Sequence, residues 1–228
     1  MSTRFVLLAL LCLGGCRSQP AEPHFPGAHR AVAPIVGDTF STEDARDRAG
    51  EAQEVTELAG VKAGMWLADL GAGEGYYTVR LSRVVGAQGR VLGEDILPDV
   101  TDQLAERVQR EQLDNVAVRL GTPEDPMLPA HTFDRIFLVH MYHEVASPYA
   151  FLWHMREGLK PDGDVVVVEA DRPVEQHGMP PQQLQCEFKA LNFKPVKFAM
   201  LTGGESYLIR FRISGPRPAP EAIVPCKS

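Results

Sequence analysis

The stretch Leu67-Ala68-Asp69-Leu70-Gly71-Ala72-Gly73-Glu74-Gly75-Tyr76 is an apolar run carrying one acid, followed by three alternating glycines and the start of an amphipathic segment. A buried strand that runs into such glycines and then a helix lets backbone come very close to a ligand with no side chain intruding. A dinucleotide site would place its third glycine one position later, to seat a pyrophosphate on the helix N-terminus. That position is Tyr76. The next apolar run ends in Gly93-Glu94-Asp95-Ile96, and a carboxylate at a strand's C-terminal edge is able to accept both hydroxyls of a ribose. Glu94 and Asp95 both qualify.

A second group follows the fourth apolar run, His140-Met141-Tyr142-His143-Glu144. His143, with an ordinary pKa of about 6.5, is the best-placed general base by residue type. Tyr142 shares its turn, and Glu144 is suited to orienting it. His140 reads as a partly buried histidine bonded to backbone. The two imidazoles are not four apart around a glutamate, and there is no Cys-x-x-Cys pair, so no metal is expected. Trp153, His154 and Met155 read as the core and surface of a helix. His177, Met179, Pro180 and Pro181 precede the last helix and read as part of a substrate lid.

Elements that would position these groups alternate along the chain. Apolar runs at 65–70, 91–93, 116–120, 133–139 and 165–169 suit buried parallel strands, and helical patterns occupy 76–85, 97–111 and 149–159, the last capped by Ser147. A first helix starts at Ser41 with Asp44 three residues on and ends before Gly60. Val196, Phe198 and Met200, then Tyr207, Ile209, Phe211 and Ile213, alternate around Gly203-Gly204, a hairpin pattern. The expected fold is α/β, a doubly wound, mostly parallel seven-stranded sheet with a C-terminal antiparallel hairpin and helices on both faces.

Taken together these segments resemble class I S-adenosylmethionine-dependent methyltransferases, over about residues 50 to 213. The glycine segment resembles their first motif. Phe133-Asp134-Arg135-Ile136 and Leu159-Lys160-Pro161-Asp162-Gly163 resemble their later motifs in the same order. The resemblance is strongest to a subgroup of predicted methyltransferases with a Tyr-His-Glu segment after the fourth strand. It implies S-adenosylmethionine as cofactor, with Asp69 supporting the donor's amino-acid end and Gly71, Gly73 and Gly75 under its methionine and ribose, Tyr76 following them. It further implies Asp95, with Glu94 beside it, on the ribose and Ile96 on the adenine. Thr122 stands where an Asp is common, so adenine contacts fall to backbone and Glu124. His143 and Tyr142 become the candidate catalytic residues, and the acceptor is left open.

Length and charge bound the rest. The 228 residues, 44% hydrophobic and 23% charged, make one domain with short appendages, and a net charge of -7 argues against a nucleic-acid partner. Met1 to Arg4 and the apolar run Phe5 to Leu13 have a signal-peptide layout, too short to span a bilayer. Leu13-Gly14-Gly15-Cys16 resembles a bacterial lipobox, which implies removal of residues 1–15, lipidation at Cys16 and, with Arg17 rather than Asp next, sorting to the outer membrane. Residues 16–40 then form a proline-rich tether, 41–213 the domain and 214–228 a loose proline-rich tail. Cys186 and Cys226 are left in an oxidising compartment, where a disulfide is open to them but two unrelated cysteines is the favoured reading. The function expected is a lipid-anchored methyltransferase acting on a small or lipid-like acceptor. Because the methyl donor is made in the cytoplasm, the alternative is a non-catalytic envelope lipoprotein that uses the same scaffold to bind an adenosyl or other small ligand. A nicotinamide oxidoreductase lacks the glycine its spacing wants.

Overall fold

The apolar runs at 65–70, 91–93, 133–139 and 165–169 pair at the depth of the molecule, because a strand covered by helices on both faces needs apolar side chains on both, but the run at 116–120, expected to be buried, forms an edge strand with Leu120 exposed. The computed structural model describes residues 23–35 and 42–227. Helices α1 (Glu43–Ala49) and α2 (Glu51–Ala59) lead into β1 (Trp66–Leu70), α3 (Tyr76–Val85), β2 (Arg90–Asp95), α4 (Pro98–Arg110), β3 (Val116–Leu120) and β4 (Phe133–Val139). Then come α5 (Pro148–Met155), β5 (Leu159–Ala170), α6 (Pro181–Ala190), β6 (Phe193–Met200) and β7 (Ser206–Ile213). The seven-stranded sheet has the order β3-β2-β1-β4-β5-β7-β6. β1 to β5 are parallel, and β7 runs antiparallel to both β5 and β6. This is the doubly wound arrangement expected, with the C-terminal ends of β1, β2 and β4 gathered at the crevice where strand order reverses.

One apolar cluster lies between the sheet and α5 and α6, around Leu138, Tyr149, Leu152, Phe188 and Phe211. The other fills the opposite face beneath α2 and α3, around Val55, Leu67, Leu81 and Val166. At the start of β5, Asp164 is fully buried and accepts from Arg210 and Arg212. Burial alone would raise its pKa, but these guanidinium groups hold it below the usual carboxylate range.

Several local expectations are corrected. The first helix is two, because Gly50 adopts φ 71° and breaks it, and Thr42 caps α1 by accepting from Ala45 N–H. Ser41 lies outside the described residues. Ser147 does not cap α5, since its hydroxyl donates to Glu124. Helix α5 ends at Met155 rather than 159, and β5 begins at Leu159, where it pairs with Phe133 before a register shift.

The described segments 23–35 and 214–227 are docked on the domain. Within the stretch read as a tether, Ala33 is buried and donates its N–H to the carbonyl of His143, and Phe25 packs edge-on against Trp153. In the tail, Pro218 accepts from Trp153 and Ile223 is buried. Cys186 and Cys226 form a disulfide, contrary to their reading as unrelated cysteines. Their separation of 40 residues in sequence gave no hint that the tail folds back over α6. Cys16 lies outside the described residues, and among those described no helix is long and apolar enough to cross a membrane.

Closing a loop of this length stabilises a fold by about 2–4 kcal/mol. Reduction of the disulfide, or Cys226→Ser, is therefore expected to lower the melting temperature by roughly 5–15 °C. Calorimetry with and without reductant checks this, and coincident transitions would show that the bond bears no part of the stability.

Candidate functional site

The glycine loop forms because each glycine meets a constraint no side chain satisfies. Gly71, Gly73 and Gly75 have φ of 64°, 54° and 91°, in the left-handed region. A Cβ on Gly75 would come within 2.5 Å of Leu104, and one on Gly71 within 3.0 Å of Met141. Asp69, buried at the end of β1, accepts from the hydroxyl of Thr78 on α3 at 2.7 Å and so fastens the helix behind the loop.

The neighbouring strand supplies two carboxylates. Asp95 accepts from Gly73 N–H at 3.1 Å through one oxygen and from Leu97 N–H at 3.0 Å through the other. It therefore draws the glycine loop toward β2 while each oxygen keeps a lone pair for a ligand hydroxyl. Glu94 is buried and points the opposite way, under Gly121, where a Cβ would lie 1.8 Å from its Oε1. That oxygen has no hydrogen-bond partner. Burial, with Asp95 adding repulsion, pushes the Glu94 carboxyl up to about 8. These features fit an adenosyl ligand: a cradle open to backbone approach, a carboxylate placed for ribose, and a buried acceptor that a ligand amine or hydroxyl would satisfy. They do not fit a pyrophosphate, which would meet the Asp95 carboxylate as a like charge.

Other expected contacts fall differently. Tyr76 turns away from the loop; its hydroxyl donates to Asp47 at 3.0 Å and its ring lies between the guanidinium groups of Arg46 and Arg80. Ile96 is half-buried next to Asp95. Thr122 is exposed and closes its own turn by exchanging hydrogen bonds with Asp125, while Glu124 is exposed and accepts from Ser147 at 2.8 Å. Both residues brace the loop after β3.

The turn after β4 divides its residues sharply. Tyr142 is fully buried and donates to Glu187 at 2.7 Å, and burial holds its pKa well above the ordinary value, so it belongs to the core and not to a catalytic pair. His140 adopts φ 54° and is partly buried as expected, its N–H on the Val168 carbonyl, but its ring faces Glu51 at 3.5 Å. Burial alone would raise Glu51, but His140 and Arg46 together bring its carboxyl down to about 2. His143 is buried and doubly held by Glu169, its backbone N–H at 3.2 Å and its Nδ1 at 2.9 Å. With Nδ1 so engaged, Nε2 is the nitrogen left to act, 3.9 Å from Glu144 Oε1.

The sequence did not single out Glu169, Arg30 or Glu187. Glu169 was legible only as the end of an apolar strand. Arg30 donates to Glu187 and to the carbonyls of Tyr142, His143 and Val145, a role with no local signal.

Comparison with known proteins agrees with this geometry. Residues 67–163 match a family described as a methyltransferase domain. A ubiquinone/menaquinone biosynthesis C-methyltransferase of Pasteurella multocida is 30% identical over 158 residues, covering 66% of this chain and 56% of that protein. Its counterpart in Enterobacter sp. is 32% identical over 125 residues, 52% of this chain and 47% of that one. The chain thus spans about half the length of these relatives. Among solved structures, an S-adenosylmethionine-dependent methyltransferase of Aquifex aeolicus has a TM-score of 0.69 at 23% identity, covering 74% and 93% of the two chains. A geranyl diphosphate C-methyltransferase of Streptomyces coelicolor, solved with Mg2+, geranyl diphosphate and S-adenosylhomocysteine, has a TM-score of 0.61 at 16% identity, covering 81% and 90%. At these identities the structural likeness establishes the fold.

The raised Glu94 carboxyl has a stability consequence with a definite sign. The folded state holds a proton that the unfolded state, with its ordinary value of 4.5, gives up, so stability falls as pH rises from about 4.5 to about 8. Glu94→Gln is expected to remove a slope of up to about 1.4 kcal/mol per pH unit across that window and to gain on the wild type toward pH 8. Denaturant titrations between these limits check it, and parallel curves for the two proteins would refute it.

Proposed function

We propose that this chain, whose residues 67–163 form a methyltransferase domain, transfers a methyl group from S-adenosylmethionine to a small or lipid-like acceptor at the cell envelope, held there by a lipid on Cys16. The observation that carries the reading is the glycine cradle closed by Asp95 on Gly73, beside the unpartnered buried oxygen of Glu94. The donor, when bound, supplies a sulfonium-activated methyl group. What remains for the chain is placement, since a nucleophile held in line at about 3 Å gains most of its acceleration from orientation.

Each residue has a part in that placement. Gly71, Gly73 and Gly75 admit the ligand against backbone, Asp95 takes its ribose, and Glu94 takes a donor from its base or ribose. Met141, against Gly71, closes the side facing β4. His143 presents Nε2 on the acceptor side, where it is placed to take a proton or hold a group, and Glu169 fixes the ring and its tautomer.

Two observations support a site outside the cytoplasm. The charged and apolar order of residues 1–16 suits export and lipidation, and the Cys186–Cys226 disulfide suits an oxidising compartment. Relatives named for quinone biosynthesis and a structural neighbour solved with geranyl diphosphate favour a small, partly apolar acceptor.

Titration of S-adenosylmethionine into the purified protein is expected to show micromolar binding that weakens at least about tenfold in Asp95→Ala, the loss of a charge-assisted contact. Absence of binding would discard the enzyme and leave the envelope binding protein. Intact mass of the membrane fraction is expected to show a chain starting at an acylated Cys16, and an uncleaved chain would overturn the envelope placement.

A further inference from the structure

A histidine that the sequence places far from the Tyr-His-Glu turn is brought against it by the fold. A ring nitrogen of His177, His143 Nε2 and a carboxylate oxygen of Glu144 all lie within 4.8 Å of one another. We propose that His143, His177 and Glu144 bind a first-row divalent cation of the zinc class, with Glu169 as the positioning residue behind His143.

Ligand chemistry points to that class. Two imidazoles and one carboxylate suit zinc and its neighbours, whereas magnesium and calcium prefer oxygen throughout. A metal-bound histidine ordinarily donates its second nitrogen to a carboxylate, which fixes the tautomer and strengthens the ligand. His143 already has this arrangement, with Nδ1 2.9 Å from the fully buried Glu169 and its backbone N–H on the other Glu169 oxygen. The position of Nε2 is therefore set before any ion arrives.

His177 is held with similar care. It adopts φ 55° at the end of a short turn, and its carbonyl accepts twice from Arg172, at 3.3 and 3.2 Å. The segment is closed behind it by Met179 N–H on the carbonyl of Ala170 at 2.9 Å. Gly178 has no room for a side chain, since a Cβ would lie 2.3 Å from Arg172. A non-glycine residue in the left-handed region costs about 1 kcal/mol or more, and such positions gather at functional sites. The rings of His143 and His177 meet edge to face with centroids 5.6 Å apart.

Zinc-bound nitrogen and oxygen atoms stand about 3.3 Å apart at a tetrahedral ion with bonds of about 2.0–2.2 Å. His143 is too buried to move, but Glu144 and His177 are half-buried and close the remaining distance by side-chain rotation. Three protein ligands leave a fourth position for water or an oxygen of a bound molecule. That this molecule is the methyl acceptor rests on the function proposed above, with the ion at Nε2 then holding the acceptor's oxygen in place of proton removal by His143; the binding of the ion does not.

The test is titration of Zn2+ into untagged, chelator-treated full-length protein, followed by calorimetry and by metal analysis after gel filtration. One ion per chain is expected. His177→Ala and Glu144→Ala, both at half-buried positions, are expected to weaken it at least tenfold. Glu169→Gln is expected to weaken it about 10- to 100-fold while the wild-type circular dichroism is kept. Co2+ in place of Zn2+ is expected to show a four-coordinate spectrum that His177→Ala abolishes. No ion retained by the wild type, or equal retention by His177→Ala and Glu144→Ala, would overturn the site. S-adenosylmethionine is titrated into the same zinc-free protein, so failure of one reading is not mistaken for failure of the other.

Discussion

The guanidinium of Arg30 is the contact on which the turn after β4 depends. Its side chain is 2% exposed, as is that of its partner Glu187, and the pair meets at 2.9 Å. Its remaining N–H groups are spent on the carbonyl of Ala31 and on those of Tyr142, His143 and Val145, the turn that presents His143. The other oxygen of Glu187 accepts from Tyr142. A charge this deep is tolerable only with its hydrogen bonds made, and removing one partner of such a pair costs about 3–5 kcal/mol. One network therefore joins the segment before α1, the turn after β4 and helix α6. Through Cys186 it also reaches the C-terminal tail.

The donor side is built on a different constraint, carboxylates brought together with few cations among them. Asp69 accepts from the Thr78 hydroxyl and Asp95 from two backbone N–H groups, but Glu94 keeps an oxygen without a partner. Burial and the nearby charge of Asp95 then favour its protonated form. A site in this state gains from a ligand that is cationic or rich in hydrogen-bond donors. The charge of Asp95 disfavours phosphate, and the unsatisfied Glu94 oxygen selects for a ligand with a hydrogen-bonding group to offer it.

The two sides meet at the turn after β4. Met141 packs against Gly71, His140 pairs with Glu51 at the start of α2, and His143 faces away toward Glu169. Within four residues the chain touches the cradle, the cap over it and the acceptor side. This requires the left-handed conformation at His140, whose N–H is held by the carbonyl of Val168.

The order of strands and helices, the glycine loop and the acid after β2 were all legible in the sequence, because each is written in local pattern: period, turn chemistry and spacing. Gly71 and Gly75 adopt the left-handed backbone that only glycine takes readily, and β6 and β7 form the hairpin that alternation around Gly203 foretold. The roles of single side chains were legible only in part. Tyr76 and Tyr142 carry residue types suited to a site, yet the fold sends one to Asp47 and the other to Glu187. The docking of residues 23–35, the disulfide, and the meeting of His143 with Glu169 and His177 were decided by tertiary structure alone. Local sequence fixes which backbone conformations are cheap. Which distant side chains share a buried volume follows only from the packing of whole elements, as where Arg30 joins the segment before α1 to the turn after β4 and to α6.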